Sequence, residues 1–198
     1  MIKLQELINN VVLNLEEIIF SVPPIIGLLL GMIIIILESM IPILPLAVFI
    51  AVNMILFGNF FGFILSWAST IIGCLIMFTL VRKYLSNHFR NHTKHSKQIK
   101  KIMEKFDHIK FPTLVLITAL PFTPAFLINI AAGLSKMSYK KFTANILIAK
   151  LSIVYFWGYI GTSFIESITD ITVLIRLAFI MLGAYVLSKI VMKKNKID

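Results

Sequence analysis

Leu37-Glu38-Ser39-Met40-Ile41-Pro42-Ile43-Leu44-Pro45 is the stretch that decides the fold, because it sets one carboxylate and two prolines inside a long, largely apolar run. Proline lacks an N–H and cannot continue a helix through its interior, so Pro42 and Pro45 break the run and free backbone carbonyls beside them. Glu38 is the only acid between Glu17 and Glu104. A carboxylate at membrane depth costs about 2.5–3.5 kcal/mol on insertion scales, so such residues face polar cavities and mark pathways or proton sites. The plain alternative is a Glu38 hydrated at the outer interface.

Outward from this stretch the chain stays apolar. Of its 198 residues, 59% are hydrophobic and 14% charged, which excludes a water-soluble domain, since so small a core could not hide that surplus. Apolar segments run over residues 20–37, 40–58, 60–81, 111–133, 142–164 and 172–192, and a helix crosses the hydrocarbon with about 20 such residues. Six crossings conflict with the charges. Nine basic residues against two acids lie between Arg82 and Lys110, three more at Lys136, Lys140 and Lys141, and four at Lys189, Lys193, Lys194 and Lys196. Six full spans would put the first two clusters on opposite sides, whereas Lys and Arg collect in cytoplasmic loops. If residues 38–58 and 111–133 instead enter and leave by the same face, four spans remain and 17 of the 19 basic residues fall inside. The second of these segments also carries its own breaks, Pro112, Pro121 and Pro124. The expected fold is therefore an all-α membrane protein with four transmembrane helices and two inverted re-entrant helical hairpins, the arrangement that builds transporter sites near the bilayer midplane.

Residues 1–19 place Leu4, Leu7, Ile8, Val11, Val12, Leu15, Ile18 and Ile19 on one stripe, with Lys3, Glu6, Asn10, Asn14 and Glu17 elsewhere, which predicts an amphipathic interfacial helix rather than a cleavable signal. The domain plan is then residues 1–19 as that helix, 20–165 as the core with its basic cytoplasmic segment 82–110, and 166–198 as a final span with a basic tail. Cys74 is alone, so no disulfide framework exists. His88, His92 and His95 share a helical face but sit among lysines with no nearby carboxylate to orient them, so no metal or other cofactor is expected. Gly27/Gly31 and Gly58/Gly62 have the four-residue spacing of close helix packing.

The candidate pathway residues are Glu38, Pro42, Pro45, Asn53, Pro121, Pro124, Asn129, Asn145 and Lys150. The prolines free carbonyls at the hairpin tips, and the three asparagines add amides in apolar surroundings. Lys150 interrupts Ile148-Ala149-Lys150-Leu151, where it either snorkels, pairs with Glu38, or binds a lipid phosphate as a point charge.

These residues resemble the DedA superfamily, also called the VTT-domain or SNARE-associated membrane proteins, over about residues 25–165. The resemblance rests on Glu38-x-x-x-Pro42-x-x-Pro45, Phe57-Gly58-x-x-x-Gly62, Ser66-Trp67, Pro121-x-x-Pro124, Asn129, Gly133-Leu134 and the Ser138-Tyr139-Lys140-Lys141-Phe142 exit. It looks closest to a bacterial branch. The family implies facing re-entrant hairpins in the bacterial cytoplasmic membrane and movement of lipids between leaflets, polyprenyl-phosphate carriers or phospholipids, with proton coupling proposed for several members. Many members carry a second acid where this chain has Leu46-Ala47, and an Arg where it has Thr118, which leaves Lys150 as the candidate for the missing positive charge.

A lipid transporter or scramblase is thus the expected function, with membrane lipids, anionic phospholipid or polyprenyl phosphate, as partners. A membrane-homeostasis or assembly factor without transport activity, and a solute or ion transporter, are the other classes. An integral lipid-modifying enzyme fits poorly, since the chain has no His-Glu-x-x-His, no Gly-x-Ser-x-Gly and no carboxylate cluster for magnesium. The Lys-rich stretch suits anionic lipid better than nucleic acid, because no aromatic stacking platform is interleaved with it. A homo-oligomer stays open. Both termini are expected in the cytoplasm. On a Cys74-free background, cysteines near Asn91, Lys136 and Lys196 should be shielded from an impermeant thiol reagent in intact cells, while one near Ser167 should label; labelling at Asn91 but not at Lys196 would refute the hairpin parity.

Overall fold

A computed structural model describes residues 23–41, 46–85, 104–166 and 170–195. The expected amphipathic helix 1–19, Pro42 and Pro45, the three clustered histidines and Lys196 lie outside the described residues. Among the described residues seven α-helices follow one another: α1 (Pro24–Met40), α2 (Leu46–Phe57), α3 (Asn59–Leu80), α4 (Phe111–Ala119), α5 (Ala125–Leu134), α6 (Tyr139–Glu166) and α7 (Ile171–Lys194). A π-helical turn, Val81–Leu85, extends α3, and a helical turn at residues 104–108 precedes α4.

Among the described residues three helices are long and apolar enough to cross a membrane: Asn59–Leu85, Tyr139–Phe164 and Ile171–Lys194. They match three of the four spans read from the sequence. The remaining one, residues 20–37, corresponds to α1, a 17-residue helix with proline in its first turn. Proline is tolerated there because the first helical N–H groups have no intrahelical acceptor.

The contacts of three glycines fix how α1 lies. A Cβ at Gly62 of α3 would fall 2.3 Å from the Asn53 carbonyl oxygen and 2.5 Å from the Met54 Cα, so α2 and α3 meet backbone to backbone. A Cβ at Gly31 of α1 would meet the Asn53 side chain, and one at Gly73 would lie 2.5 Å from the Ile36 carbonyl and 2.7 Å from the Ser39 Cβ. Along α3, therefore, Gly62 is level with the first half of α1 and Gly73 with its end. The two helices run in the same direction, and α1 stops beside the middle of α3. The chain reverses into α2 after Met40 and reverses again at Gly58, whose φ of +80° is a left-handed conformation that favours glycine.

The second half repeats this plan. Helices α4 and α5 are short, 9 and 10 residues, and are separated by the turn Leu120–Pro124. Both outer ends lie beside the end of α3. Asp107 Oδ1 accepts from the Lys136 N–H at 2.6 Å, Lys141 Nζ donates to the Ile109 carbonyl at 2.6 Å, and a Cβ at Gly133 would touch Val81 at 2.7 Å.

Helix α6 closes the bundle antiparallel to α3. Phe142 stacks on Phe78 with centroids 4.1 Å apart, and the Trp67 indole N–H donates to the Leu147 carbonyl at 3.2 Å. One apolar core gathers around Phe78, Leu114, Ile117, Phe142 and Ile146, and a second joins Ile35, Ile50 and Val154. The outward surface is apolar too: Phe60 is 78% exposed and Phe179 70%. Exposed large apolar side chains such as these, with Leu37 on α1 at 58%, are what a hydrocarbon solvent permits.

Of the glycines with four-residue spacing, Gly31 and Gly62 are the packing members, while Gly27 has open space around it. Gly62→Ala should lower stability by about 1–3 kcal/mol, because the obstructing atoms are backbone and cannot rotate away. Gly27→Ala should be neutral. Thermal unfolding in detergent measures both, and equal midpoints for the two variants would refute the α2–α3 contact.

Candidate functional site

Both helix breaks open into one cavity of about 300 Å³. Glu38 and Ser39 come from the last turn of α1, Leu46 and Ala47 from the start of α2, Pro121, Thr123 and Pro124 from the α4–α5 turn, and Lys150, Ile153 and Trp157 from one face of α6. The sequence places the two α6 groups that matter three and seven residues after Lys150, the spacing of a single helical stripe. Four of the sequence-predicted residues, Glu38, Pro121, Pro124 and Lys150, are thus brought together.

Lys150 is only 2% exposed, so its ammonium does not snorkel to a surface. It sits 11 residues into α6, about 16 Å from the helix start at 1.5 Å per residue. Its ammonium makes no hydrogen bond or ion pair among the described residues, so Glu38 does not neutralise it although both line the same space. Two residues that line the same cavity, Ser39 and Thr123, have hydroxyls that are buried and likewise lack a partner among the described residues. A buried cation and unsatisfied hydroxyl groups at one cavity are costly unless something polar enters to meet them.

The asparagines divide. Asn129 of α5 donates to the Ser39 carbonyl at 3.5 Å and so ties the second hairpin to the first break. Asn53 is not at the cavity: its amide donates to Ser66 Oγ at 3.2 Å and it fills the junction of α1, α2 and α3. Asn145 is buried at the α4–α6 contact, donating to Thr118 Oγ1 at 3.1 Å, while Thr118 donates in turn to the Leu114 carbonyl at 2.8 Å. These two hold helices together rather than line the cavity.

Sequence reasoning missed the hydroxyls of Ser39 and Thr123, and the aromatic wall in which Phe122 meets Phe156, Trp157 and Tyr185 edge to face. Their proximity to the prolines was a signal for Ser39, Phe122 and Thr123. It also missed Arg82, which entered only as one charge of a basic cluster. Among the described residues no group of three or more His, Cys, Asp or Glu could hold a metal ion.

Comparison with known proteins assigns the scaffold. The VTT domain matches residues 41–163. The chain belongs to the VTT-domain family. Two Bacillus subtilis proteins are similar to it: an uncharacterized membrane protein, YhjE, is 33% identical over 138 residues, covering 70% of this chain and 65% of YhjE. An uncharacterized protein, YqeD, is 25% identical over 125 residues, 63% of this chain and 60% of YqeD. The matched region spans less than two thirds of either relative's length. No solved structure matches the chain. The VTT domain begins at Ile41, within the first break, and ends at Ser163 in α6, so it contains both turns that meet at the cavity but leaves out Glu38 and α7.

Thr118 is an internal acceptor for Asn145. Thr118→Val removes that acceptor and orphans a buried amide, which should destabilise the protein by about 1–3 kcal/mol, whereas Thr118→Ser should be near neutral. Detergent unfolding midpoints check both, and a stable Val variant would show that Asn145 finds another partner.

Proposed function

We propose that this VTT-domain protein moves lipid between leaflets, with the polar headgroup of an anionic phospholipid or polyprenyl phosphate passing through the cavity while its apolar chains stay outside. The supporting observation is Lys150, a cation buried without a partner among the described residues and facing a space that also holds Glu38 and two unsatisfied hydroxyls. An anion in that space would receive the ammonium as a point charge and the hydroxyls as donors. A cavity of about 300 Å³ suits a headgroup and excludes the rest of a lipid. Family membership supports a transport or membrane-homeostasis role more broadly.

The topology that goes with this reading has the α1–α2 pair dipping from one face and the α4–α5 pair from the other, each followed by a full crossing, α3 or α6, with α7 as the third. All three basic clusters then share the cytoplasmic side, as the charge count requires. Pro23 falls on the same side as Gly58, opposite that cytoplasmic face, whereas the charge count with four spans puts the N-terminal part inside. The two breaks meet from opposite faces, which is the geometry that lets a polar group be passed between them.

Glu38 supplies an exchangeable proton at the same cavity, and proton coupling of the movement follows from its carboxylate. Glu38→Gln keeps size and hydrogen bonding but removes charge, and should abolish exchange in reconstituted vesicles with labelled lipid while leaving insertion intact. Lys150→Met should do the same and Lys150→Arg should retain part of the activity. The double substitution tells whether the two charges act together, since coupled sites give a non-additive loss. Wild-type leaflet exchange by Lys150→Met would sink the headgroup assignment. Absence of exchange in the unsubstituted protein would favour a homeostasis or assembly role.

A further inference from the structure

Arg82 lies in the π-helical turn after α3 and spends its guanidinium on the other hairpin. Nη2 donates to the carbonyls of Ala132 at 2.9 Å and Ser135 at 2.7 Å, Nε donates to that of Gly133 at 3.3 Å, and Nη1 donates to that of Met137. The last carbonyls of a helix have no intrahelical donor and need partners from elsewhere. A positive charge at that end also complements the helix dipole. The plane of the guanidinium is held by Phe78, 4.3 Å from its ring centre, and by Tyr139 at 5.5 Å. One side chain thus joins the end of α3, the C-terminus of α5 and the first turn of α6.

At the base, the segment leading into α4 is tied to the α5–α6 turn through Asp107 with Lys136 and to the first turn of α6 through Ile109 with Lys141. Among the described residues, Arg82 supplies the hydrogen bonds that tie that base to α3. At the far end, the turn carries Thr123, whose hydroxyl has no partner among the described residues. With a firm base and a tip that makes few polar contacts, the depth of the tip is set by where the base is fixed.

We propose that Arg82 is a positioning residue: by gathering the carbonyls of Ala132, Gly133, Ser135 and Met137 it fixes the α4–α5 hairpin against α3, and so sets where Pro121, Thr123 and Pro124 meet Glu38 and Lys150. The action is at a distance of about 15 Å, the length of the ten-residue α5. Lysine cannot replace it. An ammonium presents three donors from one point, whereas the four carbonyls are spread around a planar fork with five N–H groups. The assignment rests on these contacts and not on the lipid-transport reading, so its test needs no transport.

The test measures thiol modification in native membranes on a Cys74→Ala background, with a single cysteine at Thr123→Cys, at the tip, or at Ser66→Cys, buried in α3 and bonded to Asn53. A small methanethiosulfonate reagent reads the opening of each position. Arg82→Lys should raise the rate at position 123 about threefold and Arg82→Met about tenfold, with position 66 unchanged, because the tip loosens while the first half stays packed. An unchanged rate at 123 in both variants overturns the proposal. So does a rise at 66 together with 123 in the Lys variant, which would mean that Arg82 supports the packing of all helices rather than the placement of one hairpin.

Discussion

A helix that ends within an apolar bundle leaves N–H and C=O groups in need of partners, and the polar side chains of this protein are distributed by that constraint. Asn129 reaches across to the carbonyl of Ser39 beside the first break, and Arg82 covers the carbonyls where α5 ends. The amide nitrogens of Asn53 and Asn145 donate to Ser66 and Thr118 where helices touch. Of the three buried side-chain atoms that stay unpaired among the described residues, Ser39 Oγ and Thr123 Oγ1 belong to residues that line the cavity, and the third, Asn145 Oδ1, lies at the α4–α6 contact. The cavity is thus a remainder of the hydrogen-bond accounting, and that remainder is where a polar solute can gain most by binding.

Charge at this depth has a second effect. Lys150 lies between α6 neighbours that pack in the two apolar cores, Ile146 and Val154, so the bundle holds a cation where the medium opposes it. Natural proteins tolerate such local conflict at functional sites, compensated by the consistency of the rest. Here the compensation is the close packing of α3, with glycine at Gly62 and Gly73 letting α1 and α2 approach to backbone contact.

Much of this was legible in the residues. The prolines marked the second break, and Glu38 and Lys150 stood out because single charges in apolar runs are expensive. Charge clustering identified α4 and α5 as a pair whose outer ends meet, since it depends only on which loops carry lysine. The reach of α1 was not legible. A 17-residue apolar helix is long enough by composition to be taken for a span, and only the register of Ile36 and Ser39 against Gly73 shows that it ends beside the middle of α3. The asparagines were harder still. All three are amides in apolar stretches, and a one-dimensional pattern does not say whether such an amide bonds a neighbouring helix, as Asn53 and Asn145 do, or bridges two breaks, as Asn129 does. Arg82 was hidden for a related reason, because a basic residue at the end of an apolar helix reads as an interfacial anchor.

Helix α7 is held differently from the others. Only Leu177 and Ser188 are buried in it, and Asp170 caps its start by accepting from the Thr172 N–H at 2.8 Å. It lies outside the matched VTT domain and meets the hairpin turn chiefly through Tyr185 against Phe122. A helix that satisfies its own backbone and buries so little against its neighbours is stable as an inserted element before it docks. During biosynthesis the α1–α6 unit is therefore able to assemble while α7 is still emerging, and the last helix then associates as a peripheral stave whose contacts form late and open first. Amide exchange in the mature protein would begin along that seam, well before it reached the cores around Phe78 and Ile50.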